Sequence, residues 1–273
     1  MTMPNLRPVI KWAGGKTKLL PAIKELLPEN FDDLVFNEPF FGGGSVGLAL
    51  QPKQAIYSDA NSELINFHRV VTSCPSSLIE RYYRFKCTKE EFMRVRAWDR
   101  EPDFTTKYSF IERAARFLFL NKTCFNGLYR VNLEGYFNTS WGKKEELPPI
   151  NTENLYAVSA YLKQDDIGIL NLDFQDTYPA PGEFWYLDPP YLEEGVYNRY
   201  TKDEFGLKQH EELVDLCNRI ENMGSRFMAS NLDTPQVREL YKDYNLHEVN
   251  ANHVIGGKQT RRKFAKELLI TNY

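Results

Sequence analysis

The sequence predicts an α/β protein, an open sheet flanked by helices and interrupted by an inserted, mostly helical segment. Three observations carry this. Short apolar runs alternate with helical patterns before residue 73 and again after residue 165, a glycine-rich turn follows the first run, and the alternation breaks between about Cys74 and Gln164. Residues 1–73 and 165–273 are therefore expected to form one domain, with 74–164 as a subdomain set into it.

Composition narrows the class. A hydrophobic fraction of 42% is enough for a packed core. No run approaches the ~20 apolar residues of a membrane span, and the N-terminus lacks a signal-peptide layout, so a cytoplasmic monomer without membrane contact is expected. Cys74, Cys87, Cys124 and Cys217 are widely separated, and His68, His210, His247 and His253 form no pair with ligand spacing, so no metal is expected. The formal net charge of -3 does not advertise nucleic acid, and any such argument must come from local clusters.

The first landmark is Ile10-Lys11-Trp12-Ala13-Gly14-Gly15-Lys16-Thr17. It ends like a phosphate-binding loop, but that motif needs a glycine where Ile10 stands, which disfavours a nucleotide triphosphatase. A helix is expected from Thr17 to about Leu27. The run Leu34-Val35-Phe36 then leads into Asn37-Glu38-Pro39-Phe40-Phe41-Gly42-Gly43-Gly44-Ser45, read as strand, glycine turn and helix. Glycines let backbone approach a ligand closely, and a helix N-terminus offers free N–H groups to a carboxylate or phosphate. The pattern departs from G-x-G-x-x-G, so a nicotinamide cofactor is disfavoured. Ala55-Ile56-Tyr57-Ser58 is a second strand ending in Asp59-Ala60-Asn61, where an acid could grip a ribose or simply cap the next helix.

Within the insertion one helix is clear, from about Ile111 to Leu120. Its centre is Asn121 to Asn132, followed by Gly135-Tyr136-Phe137-Asn138 and Trp141-Gly142. Amide and arginine side chains read base edges and aromatics can stack or wedge, although a polar hairpin would show the same composition. Strands are expected again at Ile167–Phe174, Arg226–Ser230 and Leu268–Ile270, with helices from about Leu207 to Met223 and from Asn231 through Leu240. The cluster Arg261-Arg262-Lys263 is either a solvated face or a contact for phosphate.

The strand Phe184-Trp185-Tyr186 ends in Leu187-Asp188-Pro189-Pro190-Tyr191. Two prolines cannot continue a ladder, so the chain leaves the sheet in a stiff, extended turn. A carboxylate, a proline carbonyl and an aromatic ring are thereby held at a strand's carboxyl end, where open α/β sheets place ligands. The trio suits a planar base with an exocyclic amine, with Asp188 and the Pro189 carbonyl accepting its two hydrogens and Tyr191 stacking on the ring.

These landmarks together resemble the DNA adenine methyltransferase (Dam) family, the D12 class of N6-adenine enzymes, from about Pro8 to Ile270. The resemblance rests on Lys11–Lys16, Glu38–Ser45, Asp59-Ala60-Asn61, Asn126–Asn132, Asp188–Tyr191 and Ser230-Asn231 in that order. It implies a Rossmann-like methyltransferase sheet that uses S-adenosyl-L-methionine (AdoMet). On that resemblance Trp12, Lys16, Phe40, Gly42, Gly44, Asp59, Asp173, Phe174 and Asp188 would serve the AdoMet pocket. Asp188, Pro189, Pro190 and Tyr191 would be catalytic. Lys11, Asn126, Arg130, Asn132, Tyr136, Arg261, Arg262 and Lys263 would lie on double-stranded DNA, with GATC the family's usual target. The turn Phe137–Gly142 departs from the family's more usual proline-containing turn.

The chemistry implied is methyl transfer to N6 of an adenine flipped out of the duplex, with positioning and electrostatics dominating and no covalent intermediate. Cytosine C5 chemistry is rejected because it needs a nucleophilic cysteine after a proline, and the chain has only Cys74-Pro75. The alternatives are an amino methyltransferase acting on cytosine N4 or on RNA, and a catalytically silent DNA-binding module.

Overall fold

The structure is a computed structural model that describes residues 5–192, 205–251 and 265–273. The strands are β1 (Val35–Glu38), β2 (Ala55–Asp59), β3 (Ile167–Asn171), β4 (Glu183–Leu187), β5 (Arg226–Leu232), β6 (Asn245–Ala251) and β7 (Ala265–Thr271). They form one seven-stranded sheet in the order β3-β2-β1-β4-β5-β7-β6. The first five in that order run parallel, and β7 lies antiparallel to both β5 and β6. Strand order reverses between β1 and β4, so the loops after these two strands flank the crevice in which such sheets bind ligands.

The two-residue period of the strands sorts side chains onto two cores. Phe36, Tyr57, Phe184, Tyr186, Met228 and Leu269 face one, and Trp185, Leu187, Phe227, Ala229, Leu268 and Ile270 the other. Helix α3 (Ser62–Ser73) seals the first with Leu64, Phe67, Val70 and Val71, and its N-cap Asn61 accepts from the Leu64 amide at 3.0 Å. Helix α9 (Leu207–Asn222) covers the second with Leu213, Leu216, Cys217 and Ile220, at the helical spacing expected of that face.

Several elements differ from expectation. Helix α1 spans only Leu20–Glu25, and α2, after the glycine turn, only Gly47–Leu50. The Gly47 amide is met by the protein's own Glu38 carboxyl at 3.0 Å, so the helix N-terminus expected to receive a ligand is closed from within. Helix α10 covers Pro235–Leu240, with Thr234 as its cap accepting from the Val237 amide at 3.2 Å. Strand β6 lacked a sequence signal because Asn245-Leu246-His247-Glu248-Val249 offers too few apolar positions; its ladder to β7 defines it.

Between β2 and β3 the chain forms helices α4 (Pro75–Tyr83), α5 (Lys89–Arg96), α6 (Phe104–Lys107), α7 (Phe110–Thr123) and α8 (Thr152–Leu162). Their apolar faces, including Phe92, Phe117 and Phe119, together with Trp98 in the turn after α5, continue the first core rather than building a separate one. A narrow hairpin follows α7, held by bridges between Cys124 and Trp141 and between Val131 and Phe137. A buried ion pair anchors it. Arg116, only 3% exposed, meets Asp99 Oδ2 at 2.7 Å, and the same oxygen accepts from the Phe137 amide at 2.7 Å.

Candidate active site

The site is built at the carboxyl ends of β1 and β4. Directly after β4, Asp188 Oδ1 accepts from Lys16 Nζ at 2.6 Å and from Ser230 Oγ at 2.8 Å. Ser230 in turn accepts from the Tyr186 hydroxyl at 3.2 Å, which sets its proton toward Asp188. Burial pushes the Asp188 carboxyl up, while Lys16 and Ser230 pull it back down. Both of these contacts fall on Oδ1 and neither on Oδ2.

Lys16 is an unusual donor. Its side chain is 2% exposed against 18% for Asp188, its Nζ also donates to the Gly14 carbonyl at 2.6 Å, and it lies 4.6 Å from the centre of the Tyr191 ring. A buried ammonium needs such partners, since desolvation otherwise disfavours its charge. The prolines give Asp188–Tyr191 its stiffness, and two contacts fasten it further. His210 Nε2 meets the Pro190 carbonyl at 3.1 Å, and the Tyr191 hydroxyl donates to Glu267 at 2.6 Å. Burial lowers His210 to a pKa of about 4, so it is neutral with its proton on Nε2 facing that carbonyl.

On the β1 side, the loop 39–45 folds under Trp12. Gly42 has a φ of 51°, and a Cβ there would sit 2.7 Å from Trp12 Cδ1, so only glycine fits. The Gly42 amide donates to Asp59 Oδ2 at 3.0 Å and its carbonyl meets His68 Nε2 at 2.8 Å. The other Asp59 oxygen accepts from the Asn61 amide at 2.9 Å. Burial pushes Asp59 up to about 6, against the pull of these two amides, and lowers His68 to about 4. Glu38, which accepts from the Gly47 amide at the start of α2, is raised well above its ordinary value by burial, then by the Asp188 carboxylate.

Beyond the ends of β2 and β3 lies a cleft of about 650 Å³ bordered by Ala60, Asp173, Phe174, Phe205, Gln209 and Glu212. Phe174 and Phe205 give the cleft an aromatic wall, and Phe40 tilts against Phe174 with ring centres 5.3 Å apart. Asp173 turns one carboxylate oxygen to the Gln175 amide at 3.1 Å.

The segment 10–16 ties this crevice to the hairpin. Asn121 brackets Lys11, accepting from its amide at 3.0 Å and donating to its carbonyl at 2.7 Å, and Trp12 stacks on Tyr129 at 5.3 Å. Lys11, Asn126 and Arg130 are exposed on this side, and Asn126 holds a φ of 56°. Asn132 closes the hairpin tip, its side chain accepting from the Tyr136 amide at 2.8 Å, while the Arg100 guanidinium lies 5.5 Å from the centre of the Tyr136 ring.

The structure thus brings Lys16, Asp188 and Tyr191 into one cluster, Trp12, Gly42 and Asp59 into a second, and Asp173 with Phe174 and Phe40 into a third. Gly44 is buried in the loop against the Phe41 ring. Arg261, Arg262 and Lys263 lie outside the described residues. Sequence reasoning missed Ser230, His210 and Glu267 as site residues. Ser230-Asn231 entered only as one motif of the family resemblance, without a site role; Glu267 showed only as a carboxyl leading into Leu268-Leu269-Ile270, and His210 carried no local signal.

Comparison with known proteins decides the class. Residues 12–255 match the family model of D12 class N6 adenine-specific DNA methyltransferases. The chain belongs to that family. It is 37% identical to the Type II methyltransferase M1.LlaDCHI of Lactococcus lactis subsp. cremoris, over 98% of this chain and 96% of that one. It is 33% identical to the Type II methyltransferase M.MjaIII of Methanocaldococcus jannaschii, over 98% and 100%, and 31% identical to a DNA adenine methylase of Haemophilus influenzae, over 96% and 92%. The D12 enzyme therefore acts on adenine in DNA, and the crevice between β1 and β4 is where its chemistry is sought. Among the described residues no His, Cys, Asp and Glu group could hold a metal, and no helix is long and apolar enough to cross a membrane.

Proposed function

We propose that the enzyme transfers a methyl group from AdoMet to N6 of the adenine of GATC, on a base flipped out of duplex DNA, with residues 74–164 as its target-recognition part. The observation that carries this reading is the fixed Asp188 carboxylate at the end of β4, with Oδ1 anchored by both Lys16 and Ser230 and Oδ2 taking neither contact.

The residues present fit AdoMet. An aromatic wall of Phe174 and Phe205, with Phe40 tilted against Phe174, suits a purine, and the carboxylates of Asp173 and Asp59 suit its amine and the ribose hydroxyls. Each Asp59 oxygen already accepts one backbone N–H and keeps a lone pair for a ribose hydroxyl. Trp12 and Lys16 border the loop where the methionine end would lie. When bound, AdoMet supplies an electrophilic methyl on a sulfonium, reactive without covalent catalysis.

The chain's own residues then do three things. Asp188 Oδ2 and the Pro189 carbonyl accept the two amine hydrogens, which turns the nitrogen lone pair toward the methyl. Tyr191 stacks on the base. Lys16 and Ser230 keep Asp188 oriented and ionised, so it aligns the amine, and the proton leaves after transfer. Positioning of this kind accounts for several kcal/mol of barrier.

Base readout falls to the hairpin. Asn126 and Arg130 are exposed there, with side chains suited to adenine and guanine edges, and Lys11 lies beside them. Phe125 precedes Asn126 at 56% exposure, a large ring in water placed to wedge between base pairs and to fill the gap a flipped base leaves. Mapping N6-methyladenine at base resolution on mixed-sequence duplex DNA treated with enzyme and AdoMet tests the reading. Modification confined to GATC is expected. A different motif would overturn the specificity, and no methyladenine would overturn the activity.

A further inference from the structure

The last residue of the tetrapeptide is held from outside it. The Tyr191 hydroxyl donates to Glu267 Oε2 at 2.6 Å, and Glu267 is fully buried near the start of β7. Glu267 lies opposite Leu232 on β5 and Val249 on β6, within the antiparallel half of the sheet. Leu232 is two residues beyond Ser230, so Glu267 projects from the sheet face that also carries Ser230 beneath Asp188. The three residues that follow Glu267 in β7, Leu268, Leu269 and Ile270, are all core residues. Packing alone would favour another aliphatic side chain at this position, because a buried carboxyl adds little net stability.

A tyrosine ring on a proline-stiffened loop still has two soft torsions. One of its faces is approached by Lys16, whose Nζ is 4.6 Å from the ring centre while bonded to Asp188. Rotation of the ring would close the space beside Asp188 or expose the Lys16 ammonium. Burial and the flanking Asp188 and Glu267 carboxylates push the phenol far above its ordinary range, so it remains a donor at every working pH.

We propose that Glu267 is a positioning residue for methyl transfer, fixing the plane of the Tyr191 ring so that it forms the stacking wall of the target-amine pocket. The inference rests on the reading of Asp188–Tyr191 as the adenine pocket. Its effect on the reaction is carried by the tyrosine hydroxyl that it accepts from.

The test compares Y191F, E267Q, E267L and the double variant Y191F/E267L in the full enzyme. The measurements are single-turnover methylation of a duplex with saturating AdoMet, affinity for AdoMet and for DNA, and Tm. Y191F and E267L are each expected to slow methyl transfer about 10- to 100-fold, the scale of a misplacement near 1 Å, with both affinities near parental. The double variant is expected to be no slower than either single one, because both substitutions remove the same contact. E267Q, whose amide oxygen still accepts, is expected to recover most of the rate. The double variant removes the Tyr191–Glu267 contact from both sides, so its Tm should fall no further than that of E267L while its rate stays low. A merely structural Glu267 would lower stability and rate together. A Y191F enzyme at parental rate, or losses that multiply in the double variant, would overturn the inference while leaving the adenine reading in place. A parent enzyme that forms no N6-methyladenine would overturn both.

Discussion

Lys16→Met tests the electrostatics of the site most directly. The substitution keeps the length and apolar stem of a side chain that is 2% exposed, and removes the ammonium 2.6 Å from Asp188 Oδ1. Burial already raises Asp188, and Lys16 is the largest influence opposing it, ahead of Ser230. Its loss should therefore let the protonated form of Asp188 persist to a higher pH. If ionised Asp188 aligns the amine, the acid limb of the rate profile moves up accordingly, and below it the rate falls about tenfold per pH unit. Stability should fall by less than the ~3–5 kcal/mol typical of a broken buried pair, because the partly exposed Asp188 can neutralise itself by taking a proton. The assay is single-turnover methylation at saturating AdoMet from about pH 5 to about pH 9, run on parent, K16M and D188N. The D188N variant should be inactive throughout. An unmoved acid limb in an otherwise folded K16M enzyme would refute the account, since Lys16 would then not govern the charge of Asp188.

Gly42→Ala combines a left-handed backbone with a methyl group 2.7 Å from Trp12, and should cost about 2 kcal/mol, a Tm loss of about 4–8 °C. It should also weaken AdoMet binding, because the Gly42 amide holds Asp59; calorimetric titration with parental affinity would contradict this. His68 and His210, both lowered to about 4, take up protons in the unfolded chain before the folded one. Stability should therefore fall as pH drops from about 6.5 to about 4, each contributing about 3 kcal/mol. Asp59, raised to about 6, acts in the opposite sense because the folded form protonates first, so urea midpoints should show a shallower acid loss for His68→Gln than for the parent. Arg130→Ala should relax discrimination at one base pair by about 1–3 kcal/mol, read as methylation at near-cognate sites, with little change in AdoMet affinity.

Much of the fold was legible because its signals are local. Apolar runs of strand length, the glycine turn and the double proline each mark a boundary that backbone sterics enforce. Asn61 as the cap of α3 and the run Leu213, Leu216, Cys217, Ile220 as a buried stripe follow from spacing alone. Strand β6 did not, because a half-exposed strand beside an antiparallel neighbour is fixed by its partner rather than by its own residues. The helices α4, α5 and α8 were hidden for a related reason. Their apolar faces are short, and they gain their burial from α3 and α7.

The site divides along the same line, and the division explains which residues the sequence concealed. Asp188, its prolines and the glycine loop carry conformational signatures of their own. The residues that hold them do not, because each makes its contact across the sheet from a different stretch of chain. Lys16 arrives from the first loop, Ser230 from the end of β5, His210 from α9 and Glu267 from β7. A lysine in a glycine turn, a serine at a strand end and a histidine in an amphipathic helix are each unremarkable in sequence. Only Glu267 was at odds with its surroundings, a carboxyl leading into Leu268-Leu269-Ile270. A carboxyl fully buried beside an apolar run requires a polar partner inside the protein, and the Tyr191 hydroxyl at the end of the double-proline turn is such a partner.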